Sequence, residues 1–144
     1  MTQTPTGIDQ ADIAGLRARI RGNVFRPTEE GYATVSFNAS VSRRPWAVVD
    51  AAGSDDVAAA VAFAAANDMT VAVHGTGHGA TPIDGRSLLV RTGALDTCEI
   101  DPATRTARVG AGVRWQRVIE AAAQFGLAPL CGSAPGVGVA GFLS

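Results

Sequence analysis

The sequence contains no lysine, two histidines and two cysteines among its 144 residues. All 12 basic residues are arginine and the net charge is −1, so there is no basic patch of the kind that binds nucleic acid or an anionic membrane surface. Cys98 and Cys131 form neither a CxxC pair nor a disulfide framework. No apolar run approaches the roughly 18 residues of a membrane-spanning helix, and the N-terminus does not have the pattern of a secretory signal. These absences predict a cytoplasmic protein that has no nucleic-acid or membrane partner.

The composition is that of one globular domain. Hydrophobic residues make up 47% of the chain and charged residues 17%. The last phrase, "GVGVAGFLS", is apolar and glycine-rich and has no closing helix, strand or polar tail. We therefore expect that the chain is the front part of a longer protein and that its fold is incomplete.

A helix is predicted near the N-terminus, over residues 9–20. Asp9 is its candidate N-cap, Ile13, Leu16 and Ile20 share one face, and Gly22 ends it. The following residues are polar and irregular. Residues 1–42 are therefore interpreted as a helix and a lead-in to the main domain.

A β-α-β unit is predicted over residues 46–73. Strands at 46–52 and 70–73 flank a helix that starts at Ser54 as its N-cap, with Asp55 and Asp56 at the positive end of the helix dipole. The predicted buried stripe of this helix is Val57, Val61 and Ala64. The two strands should be parallel, with a right-handed crossover.

More elements follow the β-α-β unit. Residues 87–90 are typical of a buried strand, and residues 97–110 of a hairpin that turns at "DPATR". A helix is expected over residues 114–125, with Trp115 and Phe125 in the core and Gly126 in the left-handed conformation after it. The rest is predicted to be a glycine- and proline-rich loop. The fold class is therefore α+β (α/β-like), with a mixed sheet.

The stretch "VAVHGTGHGA", residues 71–80, contains both histidines of the chain, His74 and His78. Two histidines four residues apart share a face only on a helix, and the glycines between them make a helix improbable. A closed zinc site needs about four ligands, whereas no cysteine is near and the first carboxylate after the loop, Asp84, is several residues on. We expect no metal site here.

Two interpretations of this loop remain. Glycines allow successive backbone amides to form an anion-binding nest, but the loop matches neither GxGxxG nor GxxxxGK[ST]. A tight turn with incidental histidines is the alternative. A second glycine-rich loop, "CGSAPGVGVAG" at residues 131–141, favours the nest. Two such loops suit one extended anionic ligand, such as a dinucleotide.

The order and spacing of these phrases resemble the FAD-linked oxidases of the vanillyl-alcohol-oxidase type, in the berberine-bridge-like branch. "VAVHGTGHGAT" is similar to a family phrase that commonly reads V-R-S-G-G-H-S, and "PWAVVDAAGSDDVAAAVAFAAAND" is similar to the β-α unit before it. "DPATRTARVGAGVRWQRVIEAAAQFGLAPLCGSAPGVGVAG" is similar to the family's hairpin, helix and second flavin loop. The resemblance implies a PCMH-type FAD-binding domain over residues 43–144, truncated at its C-terminal end.

The resemblance also implies roles for individual residues. Backbone amides of the first loop would wrap the FAD diphosphate, and His78 would be the candidate for a covalent bond to the flavin 8α carbon. His74 stands where the family commonly has arginine. A cysteinyl link is not expected, because the family position falls on Ala134, and Cys131 is interpreted as an ordinary thiol. The implied FAD contacts are His74, Gly75, Thr76, Gly77, His78 and Gly79 in the first loop and Ser133, Gly136, Gly138, Val139 and Gly141 in the second.

The function that the resemblance implies is that of a FAD-dependent oxidoreductase. A small organic substrate would give a hydride to flavin N5, with oxygen often reoxidising the flavin. We assign no catalytic residue, because the substrate domain and its base are expected downstream of this chain, and 144 residues alone are expected to be inactive. The alternatives are a non-catalytic flavin- or nucleotide-binding module, a fragment without activity, and a small protein without a cofactor.

Overall fold

The computed structural model describes residues 11–34, 38–79 and 81–144. Its class is α+β, as the sequence predicts. The helices are α1 (Ile13–Arg19), α2 (Ser54–Ala66), α3 (Trp115–Ala123) and α4 (Val139–Leu143), and a 3-10 turn covers Glu30–Tyr32. The strands are β1 (Asn23–Phe25), β2 (Ala47–Asp50), β3 (Thr70–His74), β4 (Ser87–Arg91), β5 (Cys98–Asp101) and β6 (Thr106–Val109).

The larger sheet has the strand order β1-β2-β4-β3. β1 pairs antiparallel with β2, whereas β4 pairs parallel with both β2 and β3. The predicted β-α-β unit therefore has parallel strands, but β4 lies between them. Ser87–Val90 are all buried, as expected for a central parallel strand that is covered on both faces.

The strand at residues 70–73, which looks buried in the sequence, is an edge strand. Val71 and Ala72 are half-buried, and Val73 is 66% exposed. An apolar run such as residues 70–73 does not show where its strand lies in the sheet. In this sheet the central position beside β2 is taken by β4, so β3 lies at the edge. The free side of β3 leaves the loop that follows it accessible.

α2 covers one face of this sheet. Two residues of the predicted stripe lie on the covered face, because Ala64 is buried and Val57 packs against the core, but the third, Val61, does not. The buried residues of α2 are Asp56, Ala60, Phe63 and Ala64, whereas Val61 is 46% exposed. The helix is so rich in alanine that several of its faces are almost equally apolar. Contact between the rings of Phe63 and Trp46, with centroids 5.7 Å apart, selects the buried one. The N-cap is Gly53, and Ser54 is the first helical residue.

α1 is shorter than the predicted helix. It begins at Ile13, and the side chain of Asp12 accepts a hydrogen bond of 2.8 Å from the Gly15 amide, so Asp12 is the N-cap. The predicted cap, Asp9, lies outside the described residues. Leu16 and Ile20 are buried, as the apolar face predicts.

The C-terminal part has a separate apolar cluster. The predicted hairpin is present as β5 and β6, and α3 packs against β5. Val113, Trp115, Val118 and Val139 form the buried centre. Gly126 has a φ of 68°, as predicted, but Phe125 is 51% exposed because it follows the end of α3 and leaves the buried face. The predicted final loop contains α4.

Within the described ranges, no helix has both the length and the apolarity needed to cross a bilayer.

Candidate functional site

The two glycine-rich loops of the sequence meet at one open cavity of about 550 Å³. A cavity of this volume is typical of small-molecule and cofactor sites. The first loop, which follows β3, contributes all six of its predicted residues to the lining: His74, Gly75, Thr76, Gly77, His78 and Gly79. The second loop contributes Val137, Gly138, Ala140 and Gly141.

The first loop leaves the sheet at the carboxyl end of β3. The amide of Thr92 donates to the carbonyl of His74 at 3.0 Å, which continues the β3–β4 ladder to the start of the loop. Gly77 has a φ of 76°, a conformation that glycine adopts without strain. The amides of Gly75 and Gly77 take part in none of the backbone hydrogen bonds that join described loop residues. They are therefore available as donors to a ligand.

The second loop is held against the start of α3. The amide of Trp115 donates to the carbonyl of Val137 at 3.0 Å, and the amide of Val139 donates to the carbonyl of Val113 at 2.9 Å. These bonds place Gly138 so close to the first loop that a Cβ atom on it would lie 3.1 Å from Cγ2 of Thr76. The absence of a side chain at Gly138 lets the two loops approach each other.

Three residues that the resemblance implies as flavin contacts do not line the cavity. Val139 is 3% exposed and belongs to the buried cluster beside α3. Ser133 and Gly136 are exposed but lie outside the cavity lining. In the second loop, the cavity brings together only Gly138 and Gly141 of the predicted set.

Sequence reasoning missed Arg43, which lines the same cavity. Its side chain is 7% exposed on the segment just before β2, and its Nη1 lies 2.7 Å from Nδ1 of His74. Burial, followed by the nearby charges of Arg43 and Arg91, lowers the pKa of His74 below its usual value. His74 is therefore neutral at pH 7, and its Nδ1 accepts the hydrogen bond from Arg43. No local motif marks Arg43, because only the fold brings it to the loop.

Thr92 was also missed. It is 4% exposed, and its hydroxyl lies 3.4 Å from the carbonyl oxygen of His74 and 3.3 Å from that of Ala111. It thereby ties the first loop to the end of the hairpin. No recognisable pattern surrounds it in the sequence.

The site has the donors of an anion-binding site. Within the described ranges, no group of three or more histidine, cysteine, aspartate or glutamate residues is arranged to hold a metal ion. The lining instead combines glycine-rich backbone with a buried guanidinium, which are donors for phosphate oxygens. The two free thiols, Cys98 and Cys131, are half-buried and pack against the cluster around Trp115. The residues present therefore suit the diphosphate of a dinucleotide.

Comparison with known proteins gives consistent matches. Residues 45–144 match the FAD binding domain family. The chain is 30% identical over 127 residues to (R)-6-hydroxynicotine oxidase of Paenarthrobacter nicotinovorans. The aligned region covers 85% of this chain and 28% of the oxidase. It is also 30% identical over 126 residues to the FAD-dependent monooxygenase tpcD of Cochliobolus heterostrophus. This aligned region covers 78% of this chain and 24% of the monooxygenase.

The fold is similar to that of solved flavoenzyme structures. A variant of BBE-like 1 from Physcomitrella patens superimposes with a TM-score of 0.76 at 25% identity, over 89% of this chain and 29% of that protein. The chain thus spans between 24% and 29% of the length of these three relatives.

Proposed function

The chain belongs to the FAD binding domain family of vanillyl-alcohol-oxidase-type flavoenzymes with berberine-bridge-like relatives, and from this we propose that it holds the FAD of an oxidase acting on a small organic substrate. Bound FAD would supply the hydride acceptor, flavin N5. The residues of this chain bind and orient the cofactor, and we assign none of them to substrate deprotonation. The chain spans about a quarter of the length of these relatives.

The meeting of the two glycine loops carries the proposal. A FAD diphosphate needs several N–H donors and a close approach of the backbone. Among the described residues, Gly75 and Gly77 provide unpaired amides in the lining from the first loop, and Gly138 and Gly141 line the cavity from the second loop. Two loops that line one cavity suit an extended ligand better than a single phosphate.

We also propose His78 as the point of covalent flavin attachment. His78 is exposed and lines the cavity, so it lies beside the space that the cofactor would occupy. A bond from an imidazole nitrogen to the 8α carbon would replace one C–H bond of that methyl group and the N–H bond of the ring. The two electrons and two protons released would pass to oxygen, which would leave as hydrogen peroxide. His74 is a poorer candidate, because it is half-buried, whereas His78 is exposed.

A cysteinyl link is not part of the proposal. Cys131 packs against the cluster around Trp115 and is not among the residues that line the cavity. Ala134 occupies the position that the resemblance implies for such a link.

Acid precipitation of the FAD-loaded chain tests the attachment. We expect a yellow pellet from the unmodified chain, because a covalent flavin stays with denatured protein. His78→Ala should release the colour to the supernatant, whereas the matched control Cys131→Ser should keep it in the pellet. A yellow pellet from His78→Ala would contradict the assignment of His78. A chain that takes up no FAD would contradict the proposed function itself.

A further inference from the structure

Arg43 is a buried cation at the cavity. It lies just before β2, where it forms an isolated parallel bridge with Ile83, and its side chain is 7% exposed. It is one of the residues that line the cavity beside the first glycine loop. Nearly complete burial of a charged side chain ordinarily requires a partner of opposite charge.

Arg43 has no such partner within the described ranges. None of the ion pairs found there includes it, and its Nε is buried without a hydrogen-bond partner among the described residues. The contact of Nη1 with His74 is made to a neutral ring, which accepts a hydrogen bond but does not compensate charge.

Arg91, which also neighbours His74, shows the contrast. Its guanidinium pairs with the carboxylate of Asp50 and donates to the carbonyl of Gly31 at 2.9 Å. Its charge is therefore neutralised inside the chain. Of the two arginines around His74, Arg43 alone has a positive charge that is left for a ligand.

We propose that Arg43, positioned by His74, binds a phosphate oxygen of the diphosphate in this cavity. A guanidinium stays protonated even when burial lowers its pKa. An oxyanion in the cavity would supply the missing counter-charge and an acceptor for the orphaned donor. The inference rests on the proposed FAD-binding function and adds the residue that recognises the charge.

Three ligands and three variants test this inference. FAD and inorganic pyrophosphate carry the diphosphate, whereas riboflavin carries only the ring system and ribityl chain. Arg43→Met removes the charge and keeps an apolar side chain of similar length, and Arg43→Lys keeps a charge without the fork of donors. Arg44→Met is the matched control, because Arg44 is the exposed neighbour and does not line the cavity.

The expected result is a selective loss of affinity. By calorimetry, Arg43→Met should weaken the binding of FAD and pyrophosphate by about tenfold or more, with little change for riboflavin. The affinity of Arg43→Lys for FAD and pyrophosphate should lie between those of Arg43→Met and the unmodified chain. Arg44→Met should bind all three ligands as the unmodified chain does. Equal FAD binding by Arg43→Met and the unmodified chain would overturn the inference and leave the proposed function standing.

Thermal unfolding separates binding from structure. Because Arg43→Met removes a buried charge without a counter-ion, the unliganded variant should melt at the same temperature as the unmodified chain or higher. A lower melting temperature together with an equal loss of FAD and riboflavin binding would show a structural role and overturn the inference. Arg43-dependent binding of pyrophosphate without any binding of FAD would support the anion site and contradict the proposed function. Binding of none of the three ligands would overturn both.

Discussion

At the scale of single residues, Asp56 is the most constrained carboxylate that the structure describes. It is fully buried, and it accepts hydrogen bonds from the amides of Arg21 at 2.8 Å, Gly22 at 3.0 Å and Ala52 at 2.8 Å. Burial acts to raise the pKa of Asp56, but the three amide donors and the charge of Arg21 outweigh it and hold the pKa below its usual value of 3.8. The ionised carboxylate thus joins the chain before β1 to the start of α2.

We expect Asp56→Asn to lower the free energy of unfolding at pH 7 by about 2 to 3 kcal/mol, because one acceptor cannot satisfy three buried amides. Urea unfolding followed by circular dichroism measures this loss. Asp55→Asn is the matched control. Its ion pair with Arg21 is exposed, and such pairs contribute little to stability. Equal losses for the two variants would contradict the role given to Asp56.

The contribution of Asp56 to the free energy of unfolding depends on pH. The pKa of Asp56 is lower in the folded chain than in the unfolded chain, so its contribution is complete above the unfolded value of 3.8. It is lost as the pH falls through the folded value. The difference in unfolding free energy between the unmodified chain and Asp56→Asn should therefore shrink below about pH 4.

His74 and Arg43 show how a charge can be supplied by a distant residue. The family that the sequence resembles commonly has arginine at the position of His74. This chain has a half-buried imidazole there, and its pKa is lowered by burial and by the two neighbouring arginines. The charge in the cavity instead comes from Arg43, 31 residues away in the sequence.

At the scale of elements, the two glycine loops fit against each other through Gly138 and Thr76. A Cβ atom on Gly138 would lie 3.1 Å from Cγ2 of Thr76, which is shorter than an ordinary van der Waals contact. A methyl group at this position would require the Thr76 side chain to shift by a few tenths of an ångström.

We expect Gly138→Ala to weaken FAD binding and to destabilise the fold by about 1 kcal/mol, a cost typical of mild overpacking. Adding Thr76→Ser removes Cγ2 and should restore most of the affinity. FAD titration of the single and double variants measures both effects. Gly85→Ala is the control, because a Cβ atom there would meet nothing within 4 Å and Gly85 does not line the cavity. If the double variant binds no better than Gly138→Ala, the contact between the loops is not what limits binding.

At the scale of the whole molecule, the cavity is lined by two loops that belong to parts of the chain with separate apolar clusters. One is formed by α1, α2 and the larger sheet, from Leu16 to Val90. The other lies between the hairpin, α3 and α4, and includes Val113 and Val139. A ligand bound between the two glycine loops would contact both parts of the molecule.

We therefore expect bound FAD to slow amide hydrogen exchange in both parts together, including segments such as β5 that do not line the cavity. At a free FAD concentration 100 times Kd, linkage predicts a stabilisation of about 2.7 kcal/mol. Exchange measured by mass spectrometry with and without FAD tests this coupling. Slower exchange confined to the sheet and the first loop would show that the second loop does not hold the cofactor.

The sequence by itself determined the features that depend on neighbouring residues. The hairpin at β5 and β6, the left-handed Gly126 and both glycine loops follow from turn chemistry and local periodicity. The sequence predicted two features less well: the N-cap of α1, which is Asp12, and the buried face of α2 around Phe63. In both cases several nearby residues satisfy the same local preferences.

Only the tertiary structure decided the order of the strands and the composition of the cavity. The insertion of β4 between β2 and β3, the contact of Thr76 with Gly138 and the placement of Arg43 beside His74 all join residues that are distant in the sequence. Such contacts depend on the packing free energy of the whole chain, and local conformational preferences carry almost no information about that quantity.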